Sequence, residues 1–200
     1  NAGYAVTAFA AWNAGAHAIA LQADGKIVAV GNGSTSCTDN GFTLARYTTD
    51  GQLDPTFGSG GKVTTDYNRA GSSLNSVAIQ ADGKIVVTGS LYNQANCSSG
   101  IMETVVLRYH ADGGQDNSFA SGGKAAFNLP GPHHDQGRSV VLQPDGKILI
   151  AAGDYYAGGQ GFNVLRLNSS GGLDGSFSSD GIAYITGGRI GSLALQPDGK

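Results

Sequence analysis

The chain has 200 residues and a formal net charge of −3, and its 12 Lys and Arg residues are scattered. It therefore lacks the clustered basic surface that a nucleic acid or an anionic membrane requires. Its apolar fraction of 40% is enough for a core, which argues against disorder, and its apolar runs are too short to cross a bilayer. The 33 glycines and the many Asp, Asn, Ser and Thr residues indicate short strands joined by tight turns.

One heptapeptide occurs four times along the chain. It reads A-L-Q-A-D-G-K at 20–26, A-I-Q-A-D-G-K at 78–84, V-L-Q-P-D-G-K at 141–147 and A-L-Q-P-D-G-K at 194–200. A repeat of this spacing is one supersecondary unit that cannot bury its own apolar face. We therefore expect successive units to stack on one another.

The first repeat predicts four strands. Residues 18–22 form the first, and Asp24-Gly25 predicts a two-residue hairpin with a primed turn, because Gly tolerates positive φ. Residues 27–30 form the second strand, which Gly31 ends, and residues 42–47 form the third. A long turn over residues 50–58 follows, and the fourth strand begins at Gly61.

The other copies extend this pattern to the whole chain. The third strand recurs at 104–109 and 162–167, and the fourth strand also appears at 3–7. We therefore predict a last strand and linker of a preceding repeat (1–15), three complete repeats (16–72, 73–136 and 137–190) and the start of a fourth repeat (191–200). Because both ends fall inside the repeat, we expect a processed product or a part of a longer chain.

This organisation predicts an all-β fold. Four-stranded antiparallel sheets in a repeating array are typical of a β-propeller, in which each sheet is one blade. The prediction is a propeller-like array of three complete blades with partial strands at each end. A linear β-solenoid is the alternative, since repetition alone does not require a ring.

The repeat resembles the delta-60 repeat family of bacterial β-propeller proteins. The family pattern A-L-Q-x-D-G-K-I-V-V-A-G, then F-x-L-A-R-Y, then D-G-x-L-D-x-x-F-G-x-x-G is matched at 20–31, 42–47 and 50–61. Later copies depart from it at Gln115, Leu167 and Ser170. The resemblance implies a propeller at the bacterial surface or outside the cell, and it implies no reaction.

The loops on one side of such blades vary between the copies. They are residues 32–41, 91–100 and 154–161, with the connection 129–138 between two repeats. Because scaffolds commonly carry binding residues on loops of one face, we expect any ligand there. Tyr92, Tyr155 and Tyr156 lie in these loops, and exposed aromatic side chains beside amides suit carbohydrate stacking.

Two cysteines fall in equivalent variable loops of adjacent repeats. Since adjacent blades place equivalent loops side by side, we predict a Cys37–Cys97 disulfide, which suits an oxidising location. The alternative is two unpaired thiols, which a secreted protein rarely keeps.

His133, His134 and Asp135 form the most catalytic-looking cluster, but adjacent residues of an extended chain point to opposite sides. We interpret them as a polar surface loop, with a metal or acid–base role as the alternative.

Paired acids in the long turns raise the question of calcium. Asp50 and Asp54 recur as Asp112 and Asp116, but two carboxylates are few for an ion that takes six to eight oxygens. Turn capping by the Asp side chains is the favoured interpretation, and no cofactor is predicted. The arginine of each third strand (Arg46, Arg108, Arg166) is expected to pair with an Asp of the turn that follows (Asp54, Asp116, Asp174).

The sequence as a whole favours an extracellular or cell-surface module that binds or supports other molecules and is not an enzyme. The partner is expected to be another protein or a polysaccharide at the variable loops. Three alternatives stay open at this point. They are a lectin-like carbohydrate binder, a self-assembling filament or coat component with open blade edges, and a part of a hydrolase or lyase.

Overall fold

The computed structural model describes residues 3–9, 13–36, 39–67, 71–92, 101–129, 135–154 and 161–199. These residues form strands and turns, with no helix, and so none that could cross a membrane. The strands are β1 (Asn13–Leu21), β2 (Ile27–Ser36), β3 (Asp39–Tyr47), β4 (Lys62–Thr65), β5 (Ser73–Ile79), β6 (Ile85–Tyr92), β7 (Met102–Tyr109), β8 (Lys124–Phe127), β9 (Asp135–Leu142), β10 (Ile148–Asp154), β11 (Gly161–Leu167) and β12 (Ile182–Thr186).

The strands form three four-stranded antiparallel sheets, and the all-β prediction is confirmed. Blade 1 is β1–β4, blade 2 is β5–β8 and blade 3 is β9–β12, and each strand pairs only with its neighbours in sequence. The solenoid alternative is wrong, because no ladder joins one repeat to the next among the described residues. The sheets instead stack face to face, with the first strand of each blade against the first strand of the next.

The core lies between the blades. We call the side of a blade that packs on the following blade its trailing face, and the opposite side its leading face. Between blades 1 and 2 the trailing side chains are Val28, Val30, Phe42 and Leu44, and the leading ones include Ile85, Val87, Val105 and Leu107. A second cluster fills the interface of blades 2 and 3 in the same way. Each repeat therefore buries its apolar residues only when a neighbour is present.

Each first strand contains a β-bulge at the same place in the repeat. The extra residue is His17 in β1, Asn75 in β5 and Arg138 in β9. Gly31 lies opposite the first bulge, where a Cβ would come within 1.8 Å of the Gly15 carbonyl oxygen. Gly31 was expected to end the second strand, but β2 runs on to Ser36, so this glycine admits the bulge and does not terminate pairing.

The hairpin at Asp24-Gly25 differs from the predicted primed two-residue turn. Gln22 N–H donates to the Lys26 carbonyl, which leaves a three-residue loop, and Gly25 N–H donates to the Gln22 carbonyl. Only Gly25 in this loop has a positive φ, of 82°, whereas a type I′ turn needs two such residues. The loop is a type I turn followed by a left-handed glycine. Asp24 does not have a positive φ, and its carboxylate accepts a bond from Lys26 N–H.

The two end segments occupy positions that neighbouring repeats fill elsewhere. In the interior, the Thr65 and Tyr109 hydroxyls share a hydrogen bond of 2.8 Å between β4 and blade 2. The hydroxyls of Thr7 and Tyr47 make the same contact at 2.6 Å, so residues 3–9 lie where a preceding fourth strand would lie. At the other end, Leu193 N–H donates to the Ser139 hydroxyl on β9, which places residues 191–199 as a following first strand.

Candidate functional site

The side of the blades with the β1–β2 and β3–β4 connections, here the turn side, carries the same charged cluster three times. The arginine of each third strand donates from Nε to the Oδ2 of an aspartate eight residues later, at 2.9, 2.7 and 2.8 Å. The lysine of each first hairpin approaches the same oxygen at 3.0, 3.2 and 3.6 Å. The members are Lys26, Arg46 and Asp54 in blade 1, Lys84, Arg108 and Asp116 in blade 2, and Lys147, Arg166 and Asp174 in blade 3. The predicted Arg–Asp pairing is confirmed, and the lysine was missed.

Hydroxyl and aromatic side chains complete each cluster. Oδ1 of Asp54 accepts bonds from the N–H and the hydroxyl of Thr56, and Ser118 and Ser176 do the same for Asp116 and Asp174. Each guanidinium also lies over the ring of Phe57, Phe119 or Phe177, at 4.7, 4.6 and 4.8 Å. These bonds confirm that the aspartates cap their turns.

The surroundings keep the three carboxylates ionised. The Thr56 hydroxyl and N–H, with Lys26 and Arg46, hold the pKa of Asp54 well below its usual range. Burial raises the pKa of Asp116, but the bonds from Ser118 and the neighbouring Lys84 and Arg108 outweigh it and lower the pKa strongly. The Ser176 hydroxyl and N–H lower the pKa of Asp174 to about 2. A calcium ion at Asp54 or Asp116 would have to displace two cations. The expectation that no cofactor binds stays a prediction.

The same cluster joins each blade to the next, and we call these contacts the joint. Arg46 Nη1 donates to the Ala111 carbonyl of blade 2, and Arg108 Nη1 donates to the Ser169 carbonyl of blade 3 at 2.6 Å. The N–H after each phenylalanine donates to the adjacent carbonyl of the same turns, from Gly58 to Asp112 at 2.8 Å and from Ala120 to Ser170 at 2.7 Å. Each joint therefore has a donor half in one blade and an acceptor turn in the next.

Glycine in the acceptor turn makes room for the phenylalanine. A Cβ on Gly113 would lie 3.0 Å from the Phe57 ring, and one on Gly171 would lie 2.8 Å from the Phe119 ring. Both phenylalanines are fully buried as a result. The contacts of the turn side therefore have a structural role and fix the blades relative to one another.

The bulged residues make a second set of contacts between blades. His17 Nδ1 lies 3.0 Å from the Leu74 carbonyl oxygen, and Asn75 Nδ2 donates to the Gly137 carbonyl at 2.9 Å. The Ser76 hydroxyl accepts a bond from Val140 N–H, as Ser139 does from Leu193. His17 therefore has a structural role at the interface of blades 1 and 2.

The opposite side of the blades, here the loop side, carries the predicted ligand residues. Tyr92 ends β6 and is half-buried, and a Cβ on Gly71 would lie 2.2 Å from its ring, so the ring packs on that glycine. Asp135 begins β9 and is 3% exposed, so it is not a residue of a surface loop. The other predicted residues lie outside the described part of the chain, namely Cys37, Cys97, His133, His134, Tyr155 and Tyr156. Their predicted roles, the disulfide included, therefore stay predictions.

Four described residues at the loop end of the interface between blades 2 and 3 are polar, beside the apolar Phe127 and Ala152. Ser90 and Thr104 face each other across β6 and β7, Thr88 lies on the same side of β6, and Asn163 belongs to the leading face of blade 3. Ser90 Oγ, Thr104 Oγ1 and Asn163 Oδ1 are buried and have no hydrogen-bond partner among the described residues. We call these four residues the polar seam.

The polar seam replaces apolar residues of the other interface. Thr88 stands where blade 1 has Val30, Thr104 where it has Phe42, and Asn163 where blade 2 has Val105. Buried polar atoms normally have partners, so the three unpartnered atoms of the seam mark a place for ordered water or for a polar group of a ligand that enters the interface. Sequence reasoning missed it because each substitution is unremarkable until the repeats are aligned.

Cavities also lie elsewhere among the described residues, and two of them border blade 1. One of about 540 Å³ on the turn side lies between the hairpins of blades 1 and 2, beside Asp24, Arg46 and Gln80. The other, of about 180 Å³, lies on the leading face of blade 1 under residues 5–9. No group of three or more His, Cys, Asp or Glu residues in the described ranges could hold a metal ion.

Comparison with known families agrees with this architecture. The family described as "Domain of unknown function (DUF5122) beta-propeller" matches residues 22–57, 80–119 and 143–177, more than half of the chain. The chain belongs to this family. Each matched stretch runs from the glutamine of a hairpin through the third strand to the phenylalanine of a charged cluster. No curated protein matches the chain. The β-propeller repeats expected from the sequence are confirmed, with no function attached to them.

Proposed function

We propose that the chain is a non-catalytic binding module outside the cell, whose loop side recognises a neutral polysaccharide. The polar seam is the observation that carries this proposal. Its hydroxyl and amide groups match the hydrogen-bonding groups of sugars, and Tyr155 and Tyr156 belong to an adjacent variable loop. The likeness to delta-60 repeat proteins supports the location outside a bacterial cell.

The contacts of the turn side also support binding on the loop side. Its three charged clusters have their carboxylates bound by cations of the same blade, and the two interior joints are built from them. A ligand is therefore expected on the loop side, where the repeats differ, and the joints of the turn side hold the blades that carry those loops in place.

The test replaces a residue of the seam by the residue found at the equivalent position of another blade. Asn163→Val places at this position the side chain that blade 2 has at Val105, and it removes a buried carbonyl oxygen without a described partner. We expect the variant to be at least as stable as the wild type, because a buried unsatisfied polar group costs about 1–3 kcal/mol. We also expect it to lose retention in affinity electrophoresis with dextran, mannan or xylan.

The matched control is Asn117→Val, since Asn117 is an exposed residue of the turn side. Tyr155→Ala with Tyr156→Ala tests the loop, and Tyr4→Ala is its control. The proposal is wrong if none of the polysaccharides retains the wild type. It is also wrong if Asn163→Val destabilises the fold and leaves retention unchanged, which would make the seam a structural feature.

A further inference from the structure

An exposed tyrosine ring lies next to the polar seam, at the interface of blades 2 and 3. Asn163 of β11 pairs directly with Tyr184 of β12. Opposite residues of antiparallel strands have their side chains on the same side of the sheet, with Cβ atoms about 4.5–5.5 Å apart. Tyr184 therefore lies on the leading face of blade 3, beside the buried Asn163 Oδ1 that has no hydrogen-bond partner among the described residues.

Gly161 shows where the tyrosine ring lies. A Cβ on Gly161 would be 2.6 Å from the Tyr184 hydroxyl oxygen and 2.8 Å from its Cζ, so the ring crosses β11 over this glycine. Gly161 begins β11, two residues before Asn163, and the ring therefore extends from the seam towards the loop end of the blade. An aromatic ring that covers a glycine of the neighbouring strand is held in position by that contact. Tyr184 is nevertheless 52% exposed, so much of its surface stays open.

The pair of a buried amide and an exposed aromatic ring occurs in one blade of the three. Blade 2 has Val105 and Ala126 at the equivalent positions, and blade 1 has Thr43 and Thr64. Burial does not account for a tyrosine that is more than half exposed, and a buried carbonyl oxygen without a partner costs stability. The two changes belong to the same cross-strand pair, so they indicate one common role, which is contact with a ligand.

The chemistry of this pair suits a sugar ring. The face of a tyrosine ring is apolar, and the C–H groups of a pyranose ring bury apolar surface when they stack on it. The amide oxygen of Asn163 accepts a hydrogen bond, and sugar hydroxyl groups donate them. The unpartnered hydroxyl oxygens of Ser90 and Thr104 add polar groups from the facing side of blade 2.

We propose that Tyr184 is the stacking platform for one pyranose ring of the polysaccharide, and that a hydroxyl group entering the interface beside it donates to Asn163 Oδ1. This inference rests on the proposed function and makes it more specific. Stacking selects pyranose units with equatorial hydroxyls, such as xylose and glucose, because their axial C–H groups form an apolar ring face. The furanose rings of inulin lack such a face.

The test is affinity electrophoresis with xylan, dextran and inulin. The wild type is retained by xylan or dextran and not by inulin. Tyr184→Ala weakens this binding about 10-fold or more, because the stacked apolar surface is lost, and Tyr184→Phe keeps the ring and the retention. Ile185→Ala is the matched control, since Ile185 is the next residue of the same strand, points to the opposite face and is 38% exposed.

The outcomes separate this inference from the proposed function. Equal retention of Tyr184→Ala and the wild type overturns the role of Tyr184, and so does retention by inulin that matches retention by xylan. The proposed function still stands in that case if Asn163→Val loses retention, whereas both proposals fail if no polysaccharide retains the wild type.

A second measurement covers the case in which Tyr184→Ala lowers the urea midpoint. The wild-type chain is nitrated with tetranitromethane with and without the polysaccharide that retains it, and the modified tyrosines are identified by mass spectrometry. Bound polysaccharide protects Tyr184 and leaves Tyr4, which is 75% exposed, as reactive as before. Equal nitration of Tyr184 in both samples overturns the proposal.

Discussion

Arg108 holds the middle blade to the last one, and its replacement by alanine tests the structural role of the turn side. The side chain is 8% exposed, donates to Asp116 at 2.7 Å and to the Ser169 carbonyl at 2.6 Å, and covers the Phe119 ring. Arg108→Ala leaves a carboxylate that is 2% exposed with Lys84 as its remaining cation. Removing one partner of such a buried pair costs about 3–5 kcal/mol, a large part of the 5–15 kcal/mol typical of a domain.

The assay is urea unfolding followed by far-ultraviolet circular dichroism in dilute solution. Arg166→Ala is the comparison, because its ion pair has the same geometry but exposed fractions of 19% and 13%, and it lacks a described bond to another blade. We expect a clearly smaller loss of unfolding free energy for Arg166→Ala, since solvent screens an exposed pair. Equal losses for both variants would refute the reasoning that the bond to the next blade and the burial of the pair add to the stabilisation. If Arg108→Ala does not fold, Arg108→Lys is measured in its place, because it keeps the charge but lacks the guanidinium fork that binds Asp116 and the Ser169 carbonyl together.

Three further predictions follow from the same contacts. The folded pKa of Asp174 is about 2 and its ordinary value is 3.8, so the folded chain binds fewer protons between these values. The contribution of Asp174 to stability is then constant above about pH 5 and falls as the pH drops through 4 towards 2, and urea midpoints that rise over this acidic range would contradict this. Gly171→Ala should lower the free energy of unfolding by more than about 2 kcal/mol, because alanine there is strained in the left-handed conformation and overpacks a phenylalanine ring. Gly122→Ala lies in open space and should cost only the strain of about 1–2 kcal/mol. Equal urea midpoints for the two variants would rule out the packing contribution. Tyr109→Phe removes the hydroxyl bond to Thr65 and should cost about 1 kcal/mol in thermal unfolding, while an unchanged midpoint would mean that the bond adds no net stability.

The repeat made most of the fold predictable. Strand order, the four-stranded unit and the Arg–Asp pairs follow from patterns that recur at fixed offsets, such as the eight residues from Arg46 to Asp54. The contacts of Lys26 with Asp54 were not predicted, because the two residues lie 28 positions apart and lysine in a D-G-K turn has its own aspartate beside it. The length of β2 was underestimated because a glycine opposite a bulge looks the same in sequence as a glycine that ends a strand.

The candidate sites were less predictable than the scaffold. Asp135 was read as part of a surface loop beside two histidines, yet it begins a strand and is buried. Burial at that point depends on contacts with other parts of the chain, which a local sequence pattern does not show. The polar seam combines Thr104 of blade 2 with Asn163 of blade 3, two residues on the facing sides of different blades, and no local pattern encodes which faces are packed together.

The sequence alone determined the four-stranded blade, because the repeat dictates which backbone groups pair within about sixty residues and which side chains are apolar. Tertiary structure decided how the units meet. The arginine that binds the aspartate of its own turn also reaches a backbone carbonyl 61 or 65 residues further on, and a carbonyl carries no signature in the sequence. The space for Phe119 is likewise made by Gly171 of another blade. Contacts of this kind arise only when whole blades are stacked, since their energy comes from burial and from donors that the isolated repeat would leave in water.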